Sequence, residues 1–424
     1  MPQKSVIGHI TRCQVCGQEP LELVLDLGHQ PPCHAHLTSQ QLNEPETSYP
    51  LRLVRCSGCG LLQLDYIVPP EVAFPREYPY LTGMTNMLVR NFRELTAALT
   101  EKYALTPQDL AADIGSNDGT LLQGFREKGI KVLGIEPTDI AKIAEKNGIP
   151  TLQKFFGEEA GRDAAAQYGK AKIITATNVF AHVNDILSFM AGVSELLADD
   201  GVFVSESQYL ADIVEKLEYD TIYHEHLRFY ALKPLIKLFS LAGFTLTDAE
   251  RITAAGGSIR VYAMKGEQPV SSRVAEIIAE EERIGLYKKP TWEDFARRAK
   301  KAKHDLLTLL LECKKTNGRI VGIGAPARSN TLLGFSRIDH DILDYAGERK
   351  GSPKIGLFTP GTHIPIVDEE AMLREQPEYA LILSWHIGEE LAKKIRGLGY
   401  KGTFIMPLPN PRILSEEPIS MKNA

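Results

Sequence analysis

The chain has 424 residues, with 48 basic against 54 acidic side chains and a formal net charge of -6. That balance does not favour tracking a nucleic-acid backbone, and no apolar run approaches the ~20 residues of a membrane span. At 43% hydrophobic and 24% charged the composition is globular and fits two or three domains; with no hydrophobic signal region after Met1-Pro-Gln-Lys4, a cytoplasmic location is the expectation.

Five of the six cysteines lie in the first 70 residues. Cys13-Gln-Val-Cys16-Gly17 and Cys56-Ser-Gly-Cys59-Gly60 form two C-x-x-C-G knuckles. Each offers two thiolates, and the glycine relieves crowding as backbone amides turn toward sulfur. Four thiolates predict a structural zinc whose closed coordination leaves no open position for catalysis. A redox disulfide fits poorly, because neither pair sits in a thioredoxin-like βαβ pattern. Cys33, His34 and His36 lie in the loop between the knuckles, which reads as a surface or substrate-facing loop.

The linker carries Tyr78-Pro-Tyr80-Leu-Thr-Gly83, aromatic and rich in turn formers. Tyr78 and Tyr80 either close over a ligand or pack a domain junction. A helical pattern covers 87–102. The stretch Leu110-Ala-Ala-Asp113-Ile-Gly115-Ser-Asn117-Asp118-Gly119-Thr120 then reads as strand, glycine turn and helix. Gly115 lets a ligand approach the backbone. A second strand ends at Glu136-Pro137, where a ribose diol would be held. The missing third glycine argues against a pyrophosphate and for a sulfonium donor. The segment resembles motif I of the class I S-adenosylmethionine (SAM) methyltransferases, which implies Asp113, Gly115, Asn117, Asp118, Gly119, Glu136 and Pro137 as cofactor contacts.

From 108 to about 260 strands alternate with helices, with strands expected at 110–114, 132–135, 173–176 and 201–206; this is α/β with a mostly parallel sheet. Thr177-Asn178-Val-Phe180-Ala-His182 follows the third of these strands. Asn178 and Phe180 are candidates for the cofactor, and His182 either faces substrate or is a satisfied core group. Next comes Tyr223-His224-Glu225-His226, four proton-handling side chains in a row. In an extended segment Tyr223 and Glu225 share one face, and His224 and His226 the other. A histidine beside a carboxylate and a phenol suits abstraction of a proton next to a carbonyl. A metal pair of His224 and His226 lacks the helical i, i+4 spacing of a zinc protease. Two helical patterns over 274–316 lead to a second α/β unit, opened by Gly322-Ile-Gly324-Ala-Pro-Ala-Arg328-Ser-Asn330. There Arg328, Lys354 and the amides around Gly361 can meet a diphosphate.

Taken together, the two knuckles, Asp113-Ile-Gly115-Ser-Asn117-Asp118-Gly119, Asn178-Val-Phe180-Ala-His182, Tyr223-His224-Glu225-His226, Gly324-Ala-Pro-Ala-Arg328-Ser-Asn330 and Pro360-Gly361-Thr-His363 resemble the zinc-containing nucleotide-sugar C-methyltransferases of deoxysugar biosynthesis. The resemblance spans nearly the whole chain. It implies a zinc-binding domain at 1–70, a class I SAM-methyltransferase doubly wound sheet at 71–265, and a C-terminal Rossmann-like α/β domain at 266–424 that helps bind the nucleotide sugar. It implies methylation beside the 4-keto group, at C3 of a dTDP-linked 4-keto-deoxysugar, with SAM and structural zinc as cofactors. His226 becomes the general base, with Tyr223, Glu225 and His182 beside it. Tyr78, Tyr80, His224, Arg328, Asn330, Lys354, Thr359, Gly361 and His363 become substrate contacts. Ser205-Glu-Ser-Gln-Tyr209 departs from the acidic, apolar stretch that relatives tend to have, which leaves the shape of the sugar pocket and the exact sugar open. The competing classes are an O- or N-methyltransferase, which needs no carbon base, and a non-enzymatic zinc-ribbon protein holding a nucleotide or RNA. Neither nucleic acid nor membrane is expected as a partner, and the oligomeric state is left open, a monomer among the options.

Overall fold

The computed structural model describes residues 6–76, 78, 80–84, 86–315 and 318–414. The chain forms two compact units. The first comprises residues up to Asp26, Tyr49–Glu215 and Tyr223–Glu293, and the second Leu27–Ser48, Lys216–Ile222 and the chain from Asp294 onward.

The first unit is built on a seven-stranded sheet. Its order is Phe244–Ile252, Ser258–Lys265, Leu197–Gln208, Ala171–Thr177, Leu110–Ile114, Lys131–Ile135 and Thr151–Leu152. Ser258–Lys265 runs antiparallel to both neighbours, and the other ladders are parallel. Every residue of Leu110–Ile114 is buried, as a parallel strand covered on both faces must be. The expected strands lie within these, the one at 201–206 starting earlier at Leu197. On one face Leu88, Phe92, Leu95 and Leu99 of the helix Asn86–Lys102 recur at helical spacing and pack with Leu121, Leu122 and Phe125 of Thr120–Arg126. Strand order reverses at the pair Leu110–Ile114 and Ala171–Thr177, the place where doubly wound sheets open a ligand crevice. This order, with its one antiparallel strand, is the class I methyltransferase sheet.

A smaller sheet in the same unit aligns Arg228–Phe229, Leu62–Leu64 and Tyr49–Arg55 in that order. Arg228 pairs with Gln63 and Phe229 with Leu62, so the strand after Tyr223-His224-Glu225-His226 lies on the strand after the second knuckle.

The expected connector at 274–316 forms two helices, Ser272–Arg283 and Lys289–Lys315; Thr316 lies outside the described residues. The second unit then holds a sheet ordered Ile366–Asp368, Ala346–Glu348, Ile320–Ile323, Tyr379–Ile382, Thr403–Met406 and Arg412–Ile413. All its ladders are parallel except the last, the Rossmann-like pattern expected of it. Among the described helices, none is long and apolar enough to cross a membrane.

Candidate active site

The two cysteine knuckles have the same backbone geometry. Gly17 N–H donates to Cys13 O and Gly60 N–H to Cys56 O, each at 3.0 Å. Cys16 N–H faces Cys13 Sγ and Cys59 N–H faces Cys56 Sγ, each at 3.5 Å. Gly17 and Gly60 adopt φ of 74° and 78°, the left-handed region in which a Cβ is strained. Cys13 Sγ lies 3.6 Å from Cys59 Sγ and Cys16 Sγ lies 3.5 Å from Cys56 Sγ, and all four sulfurs fall within 4.8 Å of one another. A tetrahedral Zn–S₄ centre with ~2.3 Å bonds needs sulfurs ~3.8 Å apart, so the donor set fits zinc. Packed this closely, the thiols do not ionise alike. The contact with Cys56 pushes Cys13 up to about 12, while the Cys13 and Cys59 S–H groups hold Cys56 far below the usual thiol range. A shared dication resolves that conflict.

At the strand-order reversal, Gly115 adopts φ 68°, and a Cβ there would stand 2.4 Å from Val179 Cγ2. Its N–H donates to Ile135 O at 2.7 Å, which ties the turn to the next strand. The Glu136 carboxylate closes this strand end: Oε2 accepts from Asn117 N–H at 3.1 Å, and Oε1 accepts from Thr138 N–H at 2.9 Å and Thr138 Oγ1 at 2.6 Å. Asn117 sits at φ 50°, Pro137 is half-buried, and Gly119 at φ 81° precedes the helix Thr120–Arg126. Asp113 is 3% exposed and accepts from Thr175 Oγ1 at 2.6 Å. Burial pushes its carboxyl up to about 7, with Thr175 pulling the other way and the Glu136 and Glu206 carboxylates adding to the rise. The buried Ser116 Oγ has no partner among the described residues. A cradle that admits no Cβ, a carboxylate at the next strand end and a spare hydroxyl fit an adenosine-bearing cofactor such as SAM.

Two expected cofactor residues face another way. Asn117 Oδ1 accepts from Thr82 N–H at 2.8 Å, and its Nδ2 donates to Tyr80 O at 3.1 Å. Asp118 accepts from Gly83 N–H and from Thr120 Oγ1, at 2.8 and 2.6 Å. Both side chains fasten the 80–83 segment to the glycine turn. Phe180 is wholly buried and stacks at 5.4 Å on Tyr230 and 5.8 Å on Phe239, so it belongs to the core and not to a cofactor surface. Asn178 stays half-buried at φ 58°, its N–H on Glu206 O at 2.8 Å.

The extended segment expected at Tyr223-His224-Glu225-His226 is a turn, closed by His226 N–H to Tyr223 O at 2.9 Å. The turn re-sorts the side chains. Tyr223 and His226 meet with ring centroids 4.0 Å apart, and His226 stacks on His182 at 4.9 Å with planes 13° apart. Phe74 also stacks on His182, at 5.5 Å. Glu225 is 5% exposed and accepts from Tyr78 Oη at 3.0 Å. His224, expected to contact substrate, turns inward: it is 2% exposed, Nε2 lies 3.2 Å from Pro50 O, and burial lowers its pKa to about 4. Tyr80 is 39% exposed.

In the second unit the expected anion contacts are largely committed to the protein. Arg328 is buried in a bidentate pair with Asp220, Nε 2.7 Å from Oδ2 and Nη2 2.8 Å from Oδ1, with Glu218 at 3.4 Å; it is not the open phosphate contact expected of it. Asn330 Nδ2 donates to Cys33 O at 2.7 Å, and Lys354 Nζ to Ala325 O at 2.7 Å. Thr359 Oγ1 pairs with Thr362 Oγ1 at 2.7 Å. The Gly361 N–H donates to the Glu46 carboxylate at 2.8 and 3.0 Å, and His363 Nε2 lies 3.1 Å from Glu46 Oε2, so a protein carboxylate holds the anion locus of this turn.

Known proteins match nearly the whole chain. The family profile described as "Putative zinc binding domain" matches 13–74, "Methyltransferase domain" matches 95–249, and "C-methyltransferase C-terminal domain" matches 253–409. The C-methyltransferase NovU of Streptomyces niveus is 31% identical over 418 residues, covering 98% of this chain and 99% of that protein. Among solved structures, an S-adenosylmethionine-dependent methyltransferase of Clostridium acetobutylicum aligns at 13% identity and TM-score 0.34, over 42% of this chain and 92% of that one. Magnesium protoporphyrin IX methyltransferase of Synechocystis, with bound SAM, aligns at 13% identity and TM-score 0.33, over 43% and 81%. With four cysteines fit for zinc, a cradle fit for SAM, the three family profiles and 31% identity to NovU over 98% of its length, the chain belongs to the zinc-containing, SAM-dependent C-methyltransferase family.

Proposed function

We propose that this C-methyltransferase acts on the carbon beside the 4-keto group, C3, of a nucleotide-linked 4-keto-deoxysugar of the dTDP type, in the cytoplasm. The observation that carries the reading is the ring cluster of His182 stacked on His226 with Tyr223 tilted against it, together with the Tyr78–Glu225 pair. Transfer to oxygen or nitrogen needs no carbon base, whereas a keto sugar presents an acidic C–H and an oxygen that must carry charge.

A bound SAM supplies an electrophilic methyl group. The chain's own residues prepare the carbon that receives it. His226 takes the C3 proton on a ring nitrogen; the C–H electrons become the C3–C4 double bond and the carbonyl oxygen takes the negative charge. The Tyr223 hydroxyl or His182 donates to that oxygen. Glu225, held by Tyr78, offers a carboxylate to the imidazolium formed at His226. Asp113, Gly115 and Glu136 hold the cofactor, with Asn117, Asp118, Gly119, Pro137 and Asn178 shaping the turn around it. We assign 1–70 to zinc binding, 71–265 to SAM binding and catalysis, and 266–424 to helping bind the nucleotide sugar.

The test incubates the enzyme with dTDP-4-keto-6-deoxysugars in deuterium oxide without SAM, then adds labelled SAM. Deuterium at C3 followed by methyl on carbon is the expected result. His226→Asn should abolish exchange and lower turnover by ~10²–10⁴-fold with SAM affinity unchanged. Exchange that survives His226→Asn removes His226 as base, and methyl placed on a sugar carbon other than C3 removes the regiochemistry.

A further inference from the structure

Arg228 stands outside this scheme. It is 1% exposed, two residues after His226, and holds a permanent charge in the interior. Its Nη1 donates to Gln14 Oε1, inside the first cysteine knuckle, and its Nη2 to Val183 O, next to His182. Its Nε donates to Tyr230 Oη at 3.1 Å, and that hydroxyl donates to Phe180 O at 3.2 Å. Among the described residues every one of these partners is neutral. A buried guanidinium with no carboxylate costs stability, and an apolar side chain would serve packing alone better.

The neighbouring backbone points the same way. Leu227 N–H donates to Ala181 O at 3.0 Å, and Leu64 N–H donates to Leu227 O at 2.9 Å. Gln14 N–H donates to Gln63 Oε1 at 2.9 Å, and Gln63 is the residue paired with Arg228 across the small sheet. The two histidines arise from segments far apart in sequence, 179–183 and 223–227. Their 4.9 Å stack needs both segments fixed to one reference.

We infer that Arg228 and Gln14 are positioning residues: they use the Cys13–Cys16 knuckle as the reference that sets His182 against His226. The zinc module then does more than stabilise its own sheet. It fixes the angle and spacing of the proton-handling rings in the neighbouring turn. The inference deepens the reading of His226 as base and rests on it for its catalytic consequence, although the geometry it asserts can be measured without substrate.

The test uses the full-length, zinc-loaded protein. Gln14→Leu keeps both thiols of the knuckle and its volume but removes the acceptor for Arg228. Gln14→Glu restores an acceptor; since Gln14 Nε2 has no partner among the described residues, the carboxylate forfeits no hydrogen bond seen there. Zinc content and SAM affinity should stay within twofold of native in both, because neither touches a thiol or the glycine turn. The imidazole ¹⁵N resonances of His182 and His226 should move in Gln14→Leu and return toward native in Gln14→Glu. With dTDP-4-keto-6-deoxyglucose, kcat should fall ~10–100-fold in Gln14→Leu with KM within twofold, the signature of misplaced reacting groups. Arg228→Lys, which keeps the charge but loses the fork, should follow Gln14→Leu. Unmoved ring resonances in Gln14→Leu overturn the inference, and so does loss of zinc or SAM affinity, which would make Gln14 a residue of the metal site or the fold alone. If the native enzyme turns over no such sugar, the substrate reading falls while the ring resonances still decide this one.

Discussion

The buried carboxyl of Asp113 makes the cofactor cradle a source of instability, and the size of that effect follows from its surroundings. Its pKa is pushed up from 3.8 to about 7 by burial at the end of the central strand, against the one opposing hydrogen bond from Thr175. At ~1.4 kcal/mol per tenfold in acidity, that rise corresponds to about 4 kcal/mol of folding free energy absent once the group is ionised. The sign follows from proton counting. A carboxyl with a raised folded-state pKa binds more protons folded than unfolded between about 4 and 7, so its contribution is fully present below pH 4 and is lost as pH rises through 7. Asp113→Asn keeps an oxygen to accept from Thr175 and cannot ionise. The variant without cofactor should exceed the native protein by only about 1 kcal/mol near pH 4.5 and by about 4 kcal/mol at pH 8. Urea midpoints at the two pH values, converted through the slope of each transition, read the difference. SAM affinity of the variant at pH 8 should fall, which would tie the instability to the work of the cradle. A variant no more stable than native at pH 8, or one equally stabilised at both pH values, would refute the argument that burial of a charge dominates at this position.

Three further outcomes are expected. Tyr78→Phe removes the donor to Glu225 and should lower kcat about tenfold, in line with ~1.5 kcal/mol for a hydrogen bond to a charged group, with SAM affinity intact by calorimetry; an unchanged kcat would make Tyr78 a packing residue. Cys59→Ser should lose zinc by elemental analysis and open the small sheet to limited proteolysis while leaving the seven-stranded sheet protected in hydrogen exchange. Burial lowers His36, His224 and His386 to about 4 and His34 to about 3, so the unfolded chain takes up these protons first and stability should fall as pH drops from 6.5 toward 4. His224→Gln should blunt that acid loss in denaturation midpoints, and an equal loss in the variant would discount its share.

Local pattern made some of this legible. The four cysteines were readable because each knuckle is a short, self-contained turn in which the sulfurs and glycine determine the geometry. The turn at Asp113 and Gly115 was readable for the same reason, as were the strands on either side. The segment from Tyr223 to His226 was not: alternation predicts which side chains share a face only if the backbone stays extended. Here Pro50 draws His224 inward and Tyr78 holds Glu225, both from residues more than a hundred positions away. Arg328 looked like an anion contact because a sequence shows the cation and not Asp220, which neutralises it from a distant segment. Phe180 sat among plausible cofactor residues, yet its five-residue neighbourhood gave no hint of the aromatic cluster that claims it. In the sequence Arg228 reads as an ordinary surface charge after a catalytic-looking run; its full burial is a tertiary fact.

The second compact unit is sewn from three stretches of chain, Leu27–Ser48, Lys216–Ile222 and everything from Asp294 on. During synthesis the first stretch leaves the ribosome well before the other two. At ~5–20 residues per second that wait is on the order of tens of seconds. Residues 27–48 therefore wait without the other surfaces of their unit, and the strand formed by Ile320–Ile323 has both its neighbours only once Tyr379–Ile382 has been made. A fragment starting at 294 lacks two of the unit's three pieces. The second unit is thus completed only after its last stretch is made, with its own earliest-made segment among the last to find its place.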